Sequence, residues 1–454
     1  MPLSVVILAA GQGKRMHSEL PKVLQPLGGS SLLEHVVDTA GALKPASVHV
    51  VYGHGGEQVP ATLKHLPVHW VLQAEQLGTG HALMQALPEI GDDQIVLVLY
   101  GDVPLVRAAT LQKLVDAAAR GELGMLTARL PDAGGYGRVL RDAEGQVRGI
   151  MEHRDATPDQ LRIDEINTGL LACGAAPLRR WLSNLQNHNA QREFYLTDVI
   201  AMAAAEGVLV SAVQAPDAGE VAGINDRAQL AAAENVLRRR CAEALLQQGV
   251  TLRDPARIDV RGRLQCGKDV VIDVNCIFEG QVKLGDRVRI GPNALIRNCE
   301  IGNDSEVLAS SVLEDAHIGA RVRIGPFARL RPESWLEDEV HVGNFVEVKK
   351  SRLGKGSKAN HLAYLGDAQV GSQVNVGAGT ITCNYDGVHK HATVIGDGAF
   401  IGSNTSLVAP VSVGAGATIG AGSVITKDAP ANALTLERAE QKTLTGWKRP
   451  KKQT

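Results

Sequence analysis

The sequence has few aromatic residues, no excess of either charge and no long apolar run. Phenylalanine, tryptophan and tyrosine together make up 3% of the 454 residues, although 44% of the chain is hydrophobic. With 47 lysines and arginines against 49 aspartates and glutamates, no global field favours nucleic acid or a membrane surface as partner. The N-terminus has no basic segment, and its apolar run is too short for a signal peptide or a membrane span. We therefore expect a cytoplasmic protein without a nucleic-acid or membrane partner.

The six cysteines are scattered, and they form no CxxC pair. Cys276 and Cys299 stand at small-residue positions of the repeat described next. This usage predicts buried free thiols in a reducing compartment. A chain of 454 residues is too long for one ordinary core, so we expect two or more domains.

In the second half of the chain, an aliphatic residue, often followed by glycine, returns about every six positions. Examples are Ile290-Gly291, Ile401-Gly402 and Ile419-Gly420, and a small or β-branched residue precedes most aliphatic members by two positions. A helix needs apolar spacing of three and four, and an isolated strand needs strict alternation, so period six fits neither. The pattern predicts short parallel strands stacked as coils of a hexapeptide-type β-helix, and a low aromatic content suits that packing.

The first half alternates apolar runs with helical patterns. Residues 5–10, 48–52, 68–72 and 95–99 are predicted strands, and 32–43, 80–87 and 111–119 are predicted helices. This alternation predicts a doubly wound α/β domain over residues 1–225. Residues 226–248 keep helical spacing without glycine or proline and predict a helical linker. The β-helix with its tail would then occupy residues 249–454.

In an open α/β sheet, ligands bind beyond the carboxyl ends of the strands. Three loops of this sequence are expected there: the glycine loop after the first strand, residues 73–80, and residues 100–102. The first loop carries Gly11 and Gly13, but it lacks the third glycine of a dinucleotide motif and the spacing of a Walker loop. Small residues beside Lys14, Arg15 and Lys22 nevertheless suit a phosphate. The alternative is a tight strand-to-helix turn.

Two segments resemble known signatures. Residues 8–16, Leu-Ala-Ala-Gly-Gln-Gly-Lys-Arg-Met, followed by Pro21-Lys22, resemble the signature of sugar-nucleotide pyrophosphorylases. Residues 73–82, Gln-Ala-Glu-Gln-Leu-Gly-Thr-Gly-His-Ala, resemble the base-recognition segment of the same enzymes. Followed by hexads, the whole chain resembles the bacterial bifunctional N-acetylglucosamine-1-phosphate uridylyltransferase/glucosamine-1-phosphate N-acetyltransferase family. Lys14 departs from the threonine or serine that is usual there.

This resemblance implies a Rossmann-like nucleotidyltransferase domain followed by a left-handed parallel β-helix of hexapeptide repeats. It also implies a homotrimer that makes UDP-N-acetylglucosamine for cell-wall and lipopolysaccharide precursors. The co-substrates would be UTP and acetyl-CoA, the other substrates sugar phosphates, and the cofactor Mg²⁺.

The resemblance also assigns roles in the first half of the chain. Asp102 and Asn225 would hold magnesium, while Arg15 and Lys22 offset phosphate charge. Glu152 would contact the sugar. Each of two residues also has an alternative role: Asp102 could only cap a turn, and Glu152 could be a solvated acid in a loop. The remaining implied contacts are Leu8, Ala9, Ala10, Gly11, Tyr100 and Gly101 for the nucleotide, Gln73, Gln76, Gly78 and Thr79 for uracil, and Gly137 and Asn167 for the sugar.

In the second half, Arg331 and Lys349 lie eighteen residues apart. If one coil takes three hexads, they stack on the same corner of adjacent coils, where two cations suit a phosphate; the alternative is plain surface charge. Residues 382–394 interrupt the hexads and predict a loop near a binding site.

The resemblance makes His361 the general base of acetyl transfer, a role that suits a histidine at neutral pH. His389 and His391 are also possible bases, but we expect them to be solvated side chains of the loop. The implied sugar-phosphate contacts are Arg331, Lys349, Tyr364 and Asn375, and the implied acetyl-CoA contacts are Ala378, Asn384, Tyr385, Ser403, Ala421 and Arg438. The hexads end before residues 427–454, and the basic stretch 447–452 of this tail either packs over a cofactor's phosphates or is disordered.

Two other hypotheses remain open from the sequence. The β-helix of a nucleotidyltransferase could serve only to assemble an oligomer, or the whole chain could be a structural repeat protein. The polar cluster around His361 argues against the first hypothesis, and the glycine loop with Asp102 argues against the second.

Overall fold

The computed structural model describes residues 1–11, 13–53, 56–450 and 452. Gln12 of the glycine loop and the end of the tail at 451 and 453–454 lie outside the described residues. The chain divides into two compact units, Met1–Leu237 and Arg238–Thr454. None of the helices in the described part of the chain is long and apolar enough to cross a bilayer.

The first unit is built on a nine-stranded mixed sheet. Its strands are β1 Leu3–Leu8, β4 Ser47–Gly53, β5 His69–Gln73, β6 Ile95–Tyr100, β7 Leu123–Arg129, β8 Arg138–Arg141, β9 Val147–Met151, β10 Glu165–Gly174 and β11 Val210–Gln214; β2 Pro26–Leu27 and β3 Ser30–Ser31 form a separate pair. The order in the sheet is β11-β7-β10-β6-β1-β4-β5, and β8 and β9 are added beside β10. Strands β6, β1, β4 and β5 are parallel, so their carboxyl ends share one edge. The predicted strands and this edge are confirmed, although β10 runs antiparallel to β6 and β7.

Helices cover both faces of this sheet and bury an aliphatic core on each side. They are α1 Leu32–Gly41, α2 Gln58–Thr62, α3 Thr79–Ala86, α4 Ala108–Ala119, α5 Ala175–Ser183 and α6 Asp198–Ala205. Helix α1 begins at a capping box, because the Glu34 amide donates to Ser31 Oγ over 3.2 Å and the Ser31 amide donates to the Glu34 carboxylate over 2.7 Å.

A long helix, α7 Arg227–Gln247, lies where the sequence predicts a helical linker over residues 226–248. Leu230 and Ala233 are buried against the first unit, while Ala242 and Leu245 are buried in the core of the second. The division between the compact units therefore falls inside this helix, after Leu237, rather than at either of its ends.

The second unit is a parallel β-helix. Inward-facing Ile290, Val307, Ile324 and Val342 are register partners on successive coils, so one coil takes 17 or 18 residues. The strands of one face are Thr251–Leu252, Val271–Ile272, Arg289–Ile290, Glu306–Val307, Arg323–Ile324, His341–Asn344, Lys358–His361, Asn375–Val376, Phe400–Ile401, Thr418–Ile419 and Leu434–Thr435. The period of six is thus confirmed as one strand and one corner of a three-sided coil.

The other two faces are joined into a seventeen-stranded sheet. Its strands are Ile258–Cys266, Cys276–Leu284, Leu295–Arg297, Glu300–Ile301, Val312–Glu314, Ala316–Ile318, Arg329–Leu330, Ser334–Leu336, Glu347–Lys349, Arg352–Leu353, Tyr364–Gly366, Ala368–Val370, Ile381–Cys383, Thr393–Ile395, Ser406–Val408, Val411–Val413 and Val424–Ile425. The predicted interruption lies between the strands that end at Cys383 and begin at Thr393, where Val376 pairs with Ile401 and the coil lengthens.

The six cysteines are free, as predicted. Cys173, Cys276 and Cys299 are buried, and burial raises the pKa of the Cys276 thiol to about 11. The prediction of burial was wrong for Cys241, Cys266 and Cys383, which are partly exposed.

Candidate active sites

A cavity of about 280 Å³ opens at the carboxyl ends of β1, β5 and β6. Eleven of the predicted residues line it: Leu8, Ala9, Ala10, Gly11, Lys22, Gln73, Gln76, Gly78, Thr79, Tyr100 and Asp102. Val23, Ala82 and Glu193 also line it; none of the three was a predicted contact, although Ala82 is the last residue of the predicted base segment. Glu193 lies in a loop far along the chain and carries no motif, so no local pattern could have identified it.

The predicted base segment is held in place by the loop that contains Glu193. The Phe194 amide donates to Leu77 O over 2.8 Å, and the Gly80 amide donates to Phe194 O over 2.8 Å. Gly78 has a φ of +111°, and a Cβ there would lie 2.7 Å from Phe194 O. Only glycine therefore fits this conformation and this close backbone approach.

The two glutamines of the base segment differ in exposure. Gln73 is buried, and its Nε2 lies 3.1 Å from both Gly78 O and His81 Nδ1. Gln76 is exposed and donates to Ala10 O over 2.7 Å, which joins the base segment to the glycine loop. One glutamine thus shapes the wall, whereas the other lies at the cavity surface.

The two predicted metal ligands, Asp102 and Asn225, both contact the ammonium group of Lys22. The Lys22 ammonium forms an ion pair with Asp102, and its Nζ lies 3.1 Å from Asn225 Oδ1. The Ile224 amide donates to Asp102 O over 2.9 Å, so the backbone joins the two loops. Asp102 is therefore an ion-paired carboxylate rather than a turn cap.

The described ranges contain no group of three or more His, Cys, Asp or Glu side chains able to hold a metal. Two oxygen donors turned toward one cation nevertheless fit Mg²⁺, which takes few protein ligands and keeps waters or substrate oxygens for the rest.

The predicted sugar contacts form a second group beside the cavity. The Asn167 amide donates to Gly137 O over 2.8 Å, and a Cβ on Gly137 would lie 3.5 Å from either Glu152 carboxylate oxygen. Burial raises the pKa of Glu152, whose Oε1 accepts from Thr197 over 2.9 Å. Glu152 is therefore not a solvated loop acid.

Tyr100 connects this group to the cavity. Burial, followed by the charges of Glu152 and Asp102, raises the pKa of its phenol, so the hydroxyl stays protonated. A Cβ on Gly169 would lie 2.5 Å from Tyr100 Cε2, so the backbone that follows Asn167 also fits closely against the Tyr100 ring.

Besides Asn225 and the sugar contacts, two other predicted residues of the first unit do not line the cavity. Arg15 is exposed on a short 3-10 turn, Lys14–Met16, and Gly101 is buried behind Ala9. A Cβ at Gly101 would lie 3.2 Å from the Ala9 Cβ, so its small size serves packing.

In the second unit, one corner of the β-helix collects several predicted residues in a single row. Asn344 is the register partner of His361, and the strand register, continued past each strand end, places His361, Ala378, Ser403 and Ala421 on successive coils. Arg438 Nη1 donates to Ala421 O over 3.1 Å. Neighbouring strands lie about 4.8 Å apart, so this row extends over roughly 15–20 Å.

His361 lies exposed in this row, and its Nδ1 is 2.8 Å from Asn344 Oδ1. An amide oxygen only accepts, so Nδ1 carries the proton and Nε2 presents a free lone pair. Asn344 was not among the predicted residues, although it stands one coil before His361.

A charge ladder runs along another corner. Successive register partners alternate in sign as Arg261, Glu279, Arg297 and Glu314. The next two positions are both cations, because Leu330 pairs with Val348 and so places Lys349 beside Arg331, as predicted. Arg331 still forms an ion pair with an acidic residue, because its Nη1 lies 2.9 Å from Glu347 Oε1.

The residues between Cys383 and Thr393, which lengthen the coil, form an inserted loop. Its Lys390 is a third cation in the region of Arg331 and Lys349. The side-chain contact and charge of Lys349 lower the pKa of the Lys390 ammonium. Lys390 was not among the predicted residues, because only the path of the inserted loop brings it to Lys349.

The inserted loop is anchored by Asn384, which is 6% exposed. Its Nδ2 donates to Asp367 Oδ2 over 2.5 Å and lies 3.5 Å from the Tyr364 hydroxyl. Tyr385 is exposed, and its hydroxyl donates to Gly387 O. Asn375 is partly buried on the face that carries His361.

His391 and His389 both contact Asp386 within the same loop. His391 Nε2 lies 2.7 Å from Asp386 Oδ2, and His389 Nδ1 lies 3.9 Å from it. His389 is exposed as predicted, while His391 is partly buried by this pair.

Comparison with known families defines the class of this protein. Residues 5–250 match the MobA-like NTP transferase domain, 260–353 match the GMPPB C-terminal domain, and 392–427 match the bacterial transferase hexapeptide. The chain is thus an NTP transferase domain followed by a hexapeptide-repeat domain, which confirms the predicted Rossmann-like domain and left-handed parallel β-helix.

Three full-length relatives carry one name, bifunctional protein GlmU. Those of Methylococcus capsulatus and Alkalilimnicola ehrlichii are each 58% identical, covering 100% and 99% of this chain and 98% and 96% of their own lengths. That of Chromobacterium violaceum is 56% identical over 100% of this chain and 99% of its own. The chain belongs to this family, so the predicted family and a bifunctional transferase, joining a nucleotidyltransferase to an acyltransferase, are confirmed.

Proposed function

We propose that this enzyme makes UDP-N-acetylglucosamine in two steps. The second unit transfers the acetyl group of acetyl-CoA to glucosamine-1-phosphate, and the first unit then joins the product to UTP and releases pyrophosphate. The observation that carries this proposal is the co-location of predicted residues: eleven line one cavity, and five lie along one corner of the β-helix.

In the first unit, a phosphate oxygen of the sugar phosphate attacks the α-phosphorus of UTP, and the bond to pyrophosphate breaks. Such a reaction needs positioning and charge neutralisation rather than a covalent intermediate. Lys22 supplies positive charge in the cavity, and the base segment around Gly78 and Thr79 holds the uracil. The group of Gly137, Glu152 and Asn167 holds the sugar.

Mg²⁺ would be held by Asp102 and Asn225, where it would neutralise phosphate charge. Arg15 is exposed and does not line the cavity, and we propose that it contacts phosphate only when the nucleotide is bound.

In the second unit, the amine of glucosamine-1-phosphate attacks the thioester carbonyl. The nitrogen–carbon bond forms, the carbon–sulfur bond breaks, and His361 Nε2 takes the amine proton and returns it to the leaving thiolate. Asn344 holds the tautomer that makes Nε2 the acceptor. General-base catalysis of this kind contributes about 10²–10⁴-fold.

Stacked Arg331 and Lys349, which break the alternation of the charge ladder, suit the phosphate of the sugar. Lys390 adds charge beside them, and Tyr364 and Asn375 contact the sugar. The row of His361, Ala378, Ser403, Ala421 and Arg438 suits an extended ligand, so acetyl-CoA lies along this corner. Asn384 and Tyr385 contact it from the inserted loop.

We propose that the enzyme is a cytoplasmic homotrimer. Phe327, Phe345 and Leu362 form an apolar ridge next to His361, 53%, 56% and 62% exposed, and the two phenyl rings are stacked with centroids 5.5 Å apart. An exposed ridge of this kind supports burial against another copy of the chain. The free cysteines and the proposed co-substrates support a location in the cytoplasm.

The test uses the full-length chain and separates the two activities. Asp102→Ala should abolish magnesium-dependent pyrophosphate release from UTP while acetyl transfer persists. His361→Ala should abolish thiol release from acetyl-CoA and spare uridylyl transfer, with His389→Ala as its matched control.

Products are identified by chromatography from each substrate pair. Unchanged thiol release in His361→Ala would contradict the assigned base. Absence of thiol release in the wild type would leave the β-helix as an assembly element.

A further inference from the structure

The Lys22 ammonium lies between the two oxygen donors that the proposed function assigns to Mg²⁺. It forms an ion pair with Asp102 and lies 3.1 Å from Asn225 Oδ1. The side chains of Lys22 and Asp102 are only 11% and 18% exposed, so solvent screens this pair weakly. The lysine thus uses the donors that the metal would need.

The backbone that carries both donors is held independently of Lys22. The Ile224 amide donates to the main-chain oxygen of Asp102 over 2.9 Å, and the Asn225 amide donates to Gln229 Oε1 over 2.7 Å. Removal of the ammonium would therefore leave the two residues in place, with both side-chain oxygens unpaired from it. An ammonium and a divalent cation repel each other, so the two cannot share these oxygens.

Lys22 also lies against the glycine loop. A Cβ on Gly13 would lie 2.6 Å from the Lys22 Cβ, and a Cβ on Gly11 would lie 3.9 Å from its Nζ. The ammonium is therefore already beside the loop to which the proposed function assigns the UTP phosphates. A small rotation of the side chain would move it from the carboxylate to a phosphate.

We propose that Lys22 occupies the metal position until the nucleotide arrives. The nucleotide phosphates attract the ammonium, which frees Asp102 and Asn225 and makes metal binding dependent on the nucleotide. By thermodynamic reciprocity, the metal raises nucleotide affinity by the same factor. This inference rests on the proposed metal ligands and adds an order in which the site is filled.

The test measures Mn²⁺ binding to the full-length enzyme without nucleotide, by electron paramagnetic resonance of free Mn²⁺. Mn²⁺ prefers the same oxygen ligands as Mg²⁺. We expect Lys22→Met to bind Mn²⁺ about tenfold or more tightly than the wild type, because a competing unit charge is removed. Lys113→Met, which removes an exposed charge from α4 of the same unit, should match the wild type.

The double variant Lys22→Met with Asp102→Ala should lose the added affinity. Equal or weaker Mn²⁺ binding by Lys22→Met would overturn the inference, and so would tight binding that survives Asp102→Ala. Thermal unfolding and a second variant, Lys22→Gln, guard against a folding defect. The metal assignment itself is judged separately, by pyrophosphate release in Asp102→Ala alone.

Discussion

Substitution of Gly78 by alanine tests how tightly the base segment is built. Gly78 has φ +111° and ψ 175°, a conformation that costs a residue with a side chain about 1–3 kcal/mol. The new Cβ would also lie 2.7 Å from Phe194 O and 2.8 Å from Phe194 N, and overpacking of this kind costs about 1–3 kcal/mol more. The two costs together exceed about 2 kcal/mol.

The substitution should therefore either unfold the first unit earlier or displace the base segment. A loss of 1 kcal/mol lowers Tm by about 2–4 °C in a domain of this size, so the first transition should fall by at least roughly 4–8 °C. If the segment moves instead, uridylyl transfer should fall at least about tenfold, because each 1.4 kcal/mol is a factor of ten. Calorimetry and a pyrophosphate-release assay measure these effects, and thiol release should be unchanged.

Gly121→Ala is the matched control. Gly121 also has a positive φ, +81°, but a Cβ there would have no neighbour within 4 Å. The control isolates the backbone cost from the contact with Phe194. If Gly78→Ala matched Gly121→Ala in both Tm and activity, the close approach to Phe194 would not be what requires glycine.

Three further substitutions address the second unit. Asn344→Leu should lower kcat for acetyl transfer about tenfold, the value of one hydrogen bond, with little change in KM; an unchanged kcat would exclude a positioning role. Arg331→Ala should weaken glucosamine-1-phosphate binding by about 1.5–3 kcal/mol, measured by calorimetry, whereas Arg297→Ala in the alternating ladder should not. Burial and the charges of Arg323 and Lys358 lower the pKa of His341. The unfolded chain therefore binds this proton first as pH falls below about 6.5, so His341→Gln should reduce the loss of stability on acidification, seen in denaturant midpoints.

The fold followed from the sequence because its periods are local. Inward residues such as Ile290 and Val307 must recur once per coil, and the alternation of strands with helices is equally direct. The main differences in the first unit involve long-range pairing. Strand β10 runs antiparallel between β6 and β7, which is a property of its neighbours rather than of its own composition.

The predicted site residues depended on motifs near strand ends and on a period that stacks equivalent positions. These features account for the cavity wall around Gly11, Gln73 and Asp102, and for the stacked pair of Arg331 and Lys349. Residues without a motif were missed.

The order of apolar and small residues determined the type of each domain, because side-chain direction along a strand or helix has a short, fixed period. Tertiary structure alone decided that Glu193 reaches the base segment, that Asn344 orients His361 and that Lys390 approaches Lys349. Glu193 and Lys390 share no repeat with the residues they approach, so their contacts exist only once the loops have closed. Asn344 stands one coil from His361, but only the stacked coils show that the two side chains meet.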